Sequence, residues 1–145
     1  MPADAVRLLD VNALIALSLP HHVHHAAVTA WFDGVADWAT CSTTQSAYVR
    51  LLLNPSVAGF VISPTAVLAG LDELTAAEGH VLLTDSASFT SPTIDVGVLS
   101  GPKQVTDLHL VNLAAVSGAV LATVDSRLVG SLTSKDRRHV ELIPV

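Results

Sequence analysis

Three aspartates, Asp10, Asp107 and Asp125, stand at positions along the chain where carboxylates can act together. Asp10 ends the short apolar run 6–9 and Asp125 ends the apolar run 119–124, and both runs are typical of buried strands. Asp107 lies in the first turn of a predicted helix that leads into the second run. Ligands of open α/β sheets bind at the carboxyl ends of the strands, so the three carboxylates would converge on one edge if these strands are neighbours. Clustered carboxylates repel one another unless a cation is bound, and oxygen ligands of this kind suit Mg²⁺ or Mn²⁺.

Each of these aspartates also has an ordinary structural interpretation. Asp107 could cap its helix, and Asp10 and Asp125 could be turn residues at strand ends. For each residue alone this alternative stays open, whereas three acids at one edge favour a metal site.

The pattern of strands and helices predicts the fold that would bring the acids together. Short apolar runs alternate with segments of helical periodicity, which is typical of an α/β protein whose parallel sheet is covered on both faces. The 145 residues fit one domain, 1–145, because chains divide into several domains mainly beyond roughly 250 residues. We therefore expect a three-layer α/β fold with a central parallel sheet of about five strands flanked by helices. The predicted strands are 6–9, 38–41, 80–83, 119–124 and 141–143, and the predicted helices are 12–17, 22–32, 43–53, 64–79 and 106–117.

The composition excludes several classes of protein. Half of the residues are hydrophobic and 14% are charged, which excludes intrinsic disorder, and no apolar stretch reaches the roughly 18 residues of a membrane span. The first ten residues lack the pattern of a secretory signal, and the single cysteine, Cys41, fits a reducing compartment. We therefore expect a cytoplasmic protein that does not bind membranes. With a net charge of −6, it needs divalent cations or a local basic patch to bind nucleic acid.

Six segments carry the motifs of one known family in its order along the chain: LLDVNALIAL at 8–17, HHVHHAA at 21–27, ATC at 39–41, YVRL at 48–51, VTDLHL at 105–110 and LATVDSRL at 121–128. They resemble PIN-domain ribonucleases, and most closely the VapC toxins of bacterial toxin–antitoxin modules, especially the mycobacterial type. The resemblance implies a PIN-like fold and an Mg²⁺-dependent endoribonuclease that hydrolyses RNA phosphodiester bonds. It also implies a VapB-type antitoxin as inhibitor and a homodimer of the toxin.

One position departs from the pattern of this family. The family usually has a Glu after a Thr in the helix with the Arg-Leu pair, and this chain has Gln45 after Thr44 there. Gln keeps a carbonyl oxygen but removes one negative charge, so metal binding should be weaker. The alternative function is therefore a PIN-fold binding module whose nuclease activity is weakened or absent. A phosphoacceptor receiver domain is a third class. It would need paired acids after the first strand and a Lys near the end of the last strand, and neither Asp10-Val11-Asn12 nor Glu141-Leu142-Ile143 fits.

The residues expected at the catalytic site have separate roles. Asp10 and Asp107 are the expected metal ligands, and Asp125 is a ligand directly or through water. Gln45 is expected beside them, either as a substituted ligand or as a residue that holds a metal-bound water. Together the three carboxylates would hold one Mg²⁺, with Mn²⁺ as a possible substitute.

Other polar residues are candidates for binding the substrate. Asn12 and Thr123 flank the strand ends and could orient water or a carboxylate, although Asn12 could equally cap the first helix. Arg50 shares a helix with Gln45, and its guanidinium suits a phosphate. The histidines of 21–25 have no nearby Cys or carboxylate that would complete a zinc site, so a structural or RNA-contacting role is favoured.

The aromatic residues suggest where a dimer would form. Interfaces favour such residues, and most of those in the chain are Trp31, Phe32, Tyr48 and Phe60, which lie in its first half. We expect dimer contacts through the helices of this half. The alternative is that these residues belong to the ordinary core.

Overall fold

Five strands form one parallel sheet at the centre of the protein, in a computed structural model that describes residues 4–145. The order across the sheet is β3-β2-β1-β4-β5, and every neighbouring pair is parallel. The predicted parallel sheet is confirmed, and β2 and β3 have the predicted bounds. The strands are β1 Arg7–Leu9, β2 Trp38–Cys41, β3 His80–Leu83, β4 Val120–Thr123 and β5 Val140–Leu142.

Helices connect the strands and cover both faces of the sheet. Across residues 4–145, none of them is long and apolar enough to cross a membrane. Three short 3₁₀ helices cover Val96–Val98, Pro102–Gln104 and Asp136–His139. The α-helices are α1 Val11–Ser18, α2 His25–Phe32, α3 Ser42–Leu52, α4 Pro55–Ala58, α5 Pro64–Thr75, α6 Val105–Ser117 and α7 Ser126–Ser131.

The alternation of side chains along β1 produces two apolar layers. Leu8 belongs to a buried cluster on one face of the sheet together with Leu110 of α6. Leu9 belongs to the cluster on the other face together with Leu14 of α1 and Tyr48 of α3. Successive side chains of a strand point to opposite faces, so a central strand of this kind needs a helical cover on both sides. The predicted three-layer architecture is confirmed.

The helix predicted at 22–32 begins later than expected, at His25. The ring Nδ1 of His22 accepts a hydrogen bond from the His24 backbone N–H at 3.0 Å. That contact stabilises a turn, because a side chain that binds a nearby backbone amide competes with helix hydrogen bonding.

The helix predicted at 64–79 ends at Thr75, and a turn leads from there to β3. Gly79 has a φ of +86°, and a Cβ at this position would lie 1.9 Å from the carbonyl oxygen of Ala36. Only glycine fits such a conformation at such a close approach. The short helices α4 and α7 were not predicted, because four and six residues are too few for a helical period to be recognised.

The aromatic residues expected at a dimer interface differ in their surroundings. Tyr48 is 1% exposed and donates a hydrogen bond to the Ser18 hydroxyl at 2.9 Å, so the expectation is wrong for this residue. Trp31 and Phe32 are half-buried against the core, whereas Phe60 is exposed. The homodimer itself stays a prediction.

A buried asparagine of α6 holds the long loop that follows β3. The side chain of Asn112 is fully buried, and its Oδ1 accepts a hydrogen bond from the Thr93 N–H at 2.9 Å. Its Nδ2 donates to the Ser88 carbonyl at 3.2 Å. Buried polar groups need such partners, so this loop depends on α6 for its conformation.

We expect Asn112→Ala to lower the free energy of unfolding by about 1–3 kcal/mol, because two backbone groups of the loop lose their partner in the core. Urea denaturation followed by circular dichroism measures this change. Ser117→Ala is the control, since Ser117 is exposed on the same helix and its removal should change the free energy by less than about 0.5 kcal/mol. An Asn112 variant as stable as the control would contradict the role of this side chain.

Candidate active site

The carboxyl ends of β1 and β4 meet at one edge of the sheet. The two strands are parallel neighbours, with Leu9 opposite Ala122. Asp10 follows β1 directly, and Asp125 follows β4 after one intervening residue. The predicted convergence required these strands to be neighbours, and this condition is met.

Asp10 is held rigidly at the end of β1. Its side chain is only 2% exposed, Oδ1 accepts a hydrogen bond from the Val11 N–H at 2.7 Å, and Oδ2 accepts one from the Thr123 hydroxyl at 2.8 Å. Burial raises the pKa of Asp10 above its ordinary value although both hydrogen bonds lower it, and the charge of Asp125 raises it further. Asp10 is the N-cap of α1, so the possibility that Asn12 caps this helix is wrong.

Asp125 combines a structural role with its place at the edge. It is the N-cap of α7, and its Oδ1 accepts a hydrogen bond from the Arg127 N–H at 2.9 Å. Its own N–H donates to the Thr123 hydroxyl oxygen at 3.1 Å. Thr123 therefore contacts both aspartates.

Asp107 extends from the first turn of α6 and does not cap it. The helix begins at Val105, and Gln104 is at the N-cap, so the possibility that Asp107 caps this helix is wrong. Within residues 4–145, the Asp107 carboxylate makes no hydrogen bond or ion pair. Burial, followed by the charges of Asp10 and Asp125, raises the pKa of Asp107 to about 6. The three carboxylates are thus close enough for Asp107 to be affected by the other two.

These carboxylates do not form a finished metal site with three ligands. Across residues 4–145, no group of three His, Cys, Asp or Glu side chains is arranged to hold an ion. The expectation that Asp10, Asp107 and Asp125 share one cation therefore stays a prediction. The donors fit a hard dication in kind, because all three offer carboxylate oxygen and, among the residues that the structure describes, neither oxygen of Asp107 has a hydrogen-bond partner. Mg²⁺ commonly keeps several waters and uses only one or two carboxylates, so a complete cage is not required.

The side chain of Gln45 forms a hydrogen bond with a residue of β2. Its amide Nε2 donates to the Thr40 hydroxyl oxygen at 2.9 Å, and this hydroxyl lies 2.8 Å from Nε2 of His80. Among the residues described, no hydrogen bond connects Gln45 to the three aspartates. A role for Gln45 in metal binding stays a prediction.

The three candidate substrate-binding residues have different positions. Thr123 is buried between two of the aspartates, where it positions carboxylates. Asn12 is exposed near the beginning of α1, and Arg50 is exposed in the last turn of α3. Their contacts with a substrate stay predictions.

Sequence reasoning missed a second carboxylate network at the same edge. Asp85 follows β3 and accepts hydrogen bonds from the Thr43 hydroxyl at 2.7 Å and from Nε2 of His109 at 2.6 Å. Burial alone would raise the pKa of Asp85, but these two partners hold it below its ordinary value. The signal in the sequence was the one that identified Asp10, namely an aspartate just after a short apolar strand.

The histidines of 21–25 connect backbone segments. His21 Nε2 hydrogen-bonds the Ala58 carbonyl at 2.8 Å, and His25 Nδ1 hydrogen-bonds the Ala16 carbonyl at 2.7 Å. No three of these rings are arranged to hold an ion. These two hydrogen bonds support the structural role that the sequence favours for the histidines of 21–25.

The order of the strands, the helices on both faces and the acidic carboxyl edge are those of a PIN-like α/β domain. No profile of a known protein family matches the chain. Several curated proteins of Mycobacterium tuberculosis are similar along most of its length. Ribonuclease VapC38 is 38% identical over 140 residues, which cover 95% of this chain and 98% of that protein. Ribonuclease VapC39 is 39% identical over 130 residues, covering 88% and 94%, and Ribonuclease VapC44 is 36% identical over 128 residues, covering 83% and 87%. The chain belongs to the VapC ribonuclease family, as its motifs predicted.

The raised pKa of Asp107 predicts a dependence of stability on pH in metal-free protein. The folded protein binds this proton more tightly than the unfolded chain, whose ordinary pKa is 3.8, so ionised Asp107 destabilises the fold above about pH 6. Asp107→Asn should raise Tm by roughly 2–4 °C at pH 8, which corresponds to about 1 kcal/mol in a domain of this size. The gain should disappear as the pH falls below 4. Thermal melts in EDTA measure it.

Asp72→Asn is the matched control, since Asp72 is an exposed carboxylate on α5. It should leave Tm nearly unchanged at both pH values. A gain for Asp107→Asn that is equally large at low pH would contradict the electrostatic cause.

Proposed function

We propose that this protein is a metal-dependent endoribonuclease and the toxin of a VapBC toxin–antitoxin pair. The names of its relatives support a ribonuclease, and each relative matches it over most of its length. The observation that carries the proposal is the charge interaction of Asp107 with Asp10 and Asp125. Burial and these two charges raise the pKa of Asp107 to about 6. Nearby carboxylates at the edge where α/β sheets bind ligands suit a dication. A dication held there would in turn attract the anionic phosphodiester.

The residues that would hold Mg²⁺ are the three aspartates, with Mn²⁺ as a possible substitute. When bound, such an ion lowers the pKa of a water and polarises a phosphoryl oxygen. Within residues 4–145, the two carboxylate oxygens of Asp107 have no hydrogen-bond partner. Asp10 is fixed by Val11 and Thr123, so it can supply an oxygen at a defined place.

The remaining residues of the edge would orient these donors. Thr123 donates to Asp10 and accepts from the Asp125 N–H, so one hydroxyl sets the separation of two carboxylates. Asn12 is exposed one helical position beyond Val11 and would contact water or the ribose-phosphate chain. Preorganised donors of this kind act mainly by holding charge where it develops.

The proposal includes two protein partners. A VapB-type antitoxin would inhibit the nuclease, as the family name implies, and the toxin would form a homodimer. Of the aromatic residues considered for the dimer, exposed Phe60 remains a candidate contact.

A second candidate function is a binding module with little nuclease activity. It is favoured by Gln45, whose neutral amide hydrogen-bonds Thr40 instead of adding a charge to the acidic edge. The two functions differ in one measurement, namely whether purified protein cleaves RNA in Mg²⁺ or Mn²⁺.

We expect wild-type protein to cleave single-stranded RNA in Mg²⁺, and Asp107→Asn to lose roughly 10²–10³-fold of that rate, because it loses several kcal/mol of charge stabilisation by the bound ion. Gel analysis of labelled RNA measures the rate. Asp72→Asn should cleave like wild type. Since Asp107→Asn is expected to be at least as stable as wild type, unfolding cannot explain its loss of activity. Wild-type protein without activity in either ion would favour the binding module.

Gln45→Glu tests the departure from the family pattern. If position 45 contributes to the site, the added charge should tighten Mg²⁺ binding by roughly threefold to tenfold, which is the effect of about 1 kcal/mol near a partly solvated ion. Calorimetric titration with Mg²⁺ and Mn²⁺ measures the affinity. Ser46→Glu places the same charge on the neighbouring exposed residue and should have a smaller effect. Equal affinities in wild type and Gln45→Glu would place Gln45 outside the metal site.

A further inference from the structure

A polar groove between α3 and α6 lies next to the acidic edge. Its volume is about 420 Å³. It begins one residue from Asp107, because Thr106 of α6 forms one wall. The lining residues are Ser42, Thr43, Ser46, Ala47, Arg50 and Thr106.

The α3 wall of the groove presents hydroxyl groups followed by a cation. Ser42, Ser46 and Arg50 are spaced four residues apart, which places them on one face of the helix. All three are exposed. Among the residues described, the guanidinium of Arg50 has no hydrogen bond or ion pair, so its donors are available to a ligand.

The hydrogen bonds of Asp85 hold the α3 wall of the groove in place. Thr43 lines the groove and donates its hydroxyl proton to Asp85, which is also bound by His109 of α6. This chain of contacts joins the beginning of α3 to α6. The two walls of the groove are therefore tied together at a fixed separation.

We propose that the α3–α6 groove binds the backbone of single-stranded RNA beside the scissile bond, with Arg50 on a phosphate. This inference rests on the proposed nuclease function of the acidic edge. Arg binds phosphate through a planar, bidentate fork, and the hydroxyls of Ser42, Ser46 and Thr106 provide further donors. In a chain with a net charge of −6, a cation beside the acids counteracts the repulsion of an approaching polyanion.

The volume of the groove is compatible with a nucleotide chain. Cavities of roughly 300–1,000 Å³ hold one small ligand, so about 420 Å³ admits part of one nucleotide chain. Proteins that follow a single strand use such a cationic groove along its backbone.

The test measures binding separately from cleavage. Labelled single-stranded RNA of mixed sequence is titrated by fluorescence anisotropy with Asp107→Asn protein in Mg²⁺, at several salt concentrations. Adding Arg50→Gln should weaken binding roughly tenfold or more, because a hydrogen-bonded charge contact is lost. The slope of log K against log salt should become smaller by about 0.7, the value for one phosphate contact with a single strand. Arg50→Lys should keep the slope while it loses part of the affinity.

Arg138→Gln is the matched control, since Arg138 is exposed beside β5 at the far edge of the sheet. It should leave affinity and slope unchanged, and Tm of every variant is measured in parallel. Unchanged RNA binding by Arg50→Gln overturns the proposed subsite even if wild-type protein cleaves RNA. If wild-type protein cleaves no RNA while Arg50→Gln shows the loss of affinity and slope, the nuclease proposal fails and the groove stands as a single-strand binding site.

Discussion

The hydrogen bond from the Thr123 hydroxyl to Asp10 is the contact on which the acidic edge depends. It joins the ends of β1 and β4, whose residues are 113 positions apart in the sequence. The bond is buried and its acceptor is a carboxylate, so it is among the stronger hydrogen bonds of a protein. Because Thr123 also accepts the Asp125 N–H, one side chain fixes the relative positions of two acids. A valine at position 123 would fill a similar volume but could form neither of these two hydrogen bonds.

Two aspartates at the same edge have opposite electrostatic surroundings. Asp85 has two hydrogen-bond donors that outweigh its burial, so its pKa is lowered and its charge stabilises the fold. Asp107 has no such donor within residues 4–145, and its pKa is raised to about 6. The protein itself supplies hydrogen-bond donors to Asp85. Among the described residues it supplies none to Asp107, whose carboxylate is therefore available to a ligand. Strongly perturbed groups of this kind collect at functional sites, where strain is tolerated for the sake of binding.

The sequence predicted the features that depend on local periodicity and on simple topological rules. The apolar runs around Leu8 and Leu121 predict two strands, and the rule for ligand positions in parallel sheets then identifies Asp10 and Asp125 from the sequence alone. The network of Asp85 and His109 could not be predicted in the same way, because it depends on how α6 is rotated against the end of β3. Tyr48 shows the same limit, since an aromatic residue at an interface and one in the core look alike in a sequence.

The central position of β1 affects when the edge can form during translation. β1 and β2 leave the ribosome first, since the chain is made from its amino-terminal side, whereas a domain generally folds as a unit. Thr123 and Asp125, however, are made more than a hundred residues after Asp10. A nascent chain, or one that is prematurely terminated before β4, therefore contains Asp10 without the partners that position it. The acidic edge is complete only after Asp125 has been made, so a nascent chain that ends before β4 does not present an assembled site to the ribosome that makes it.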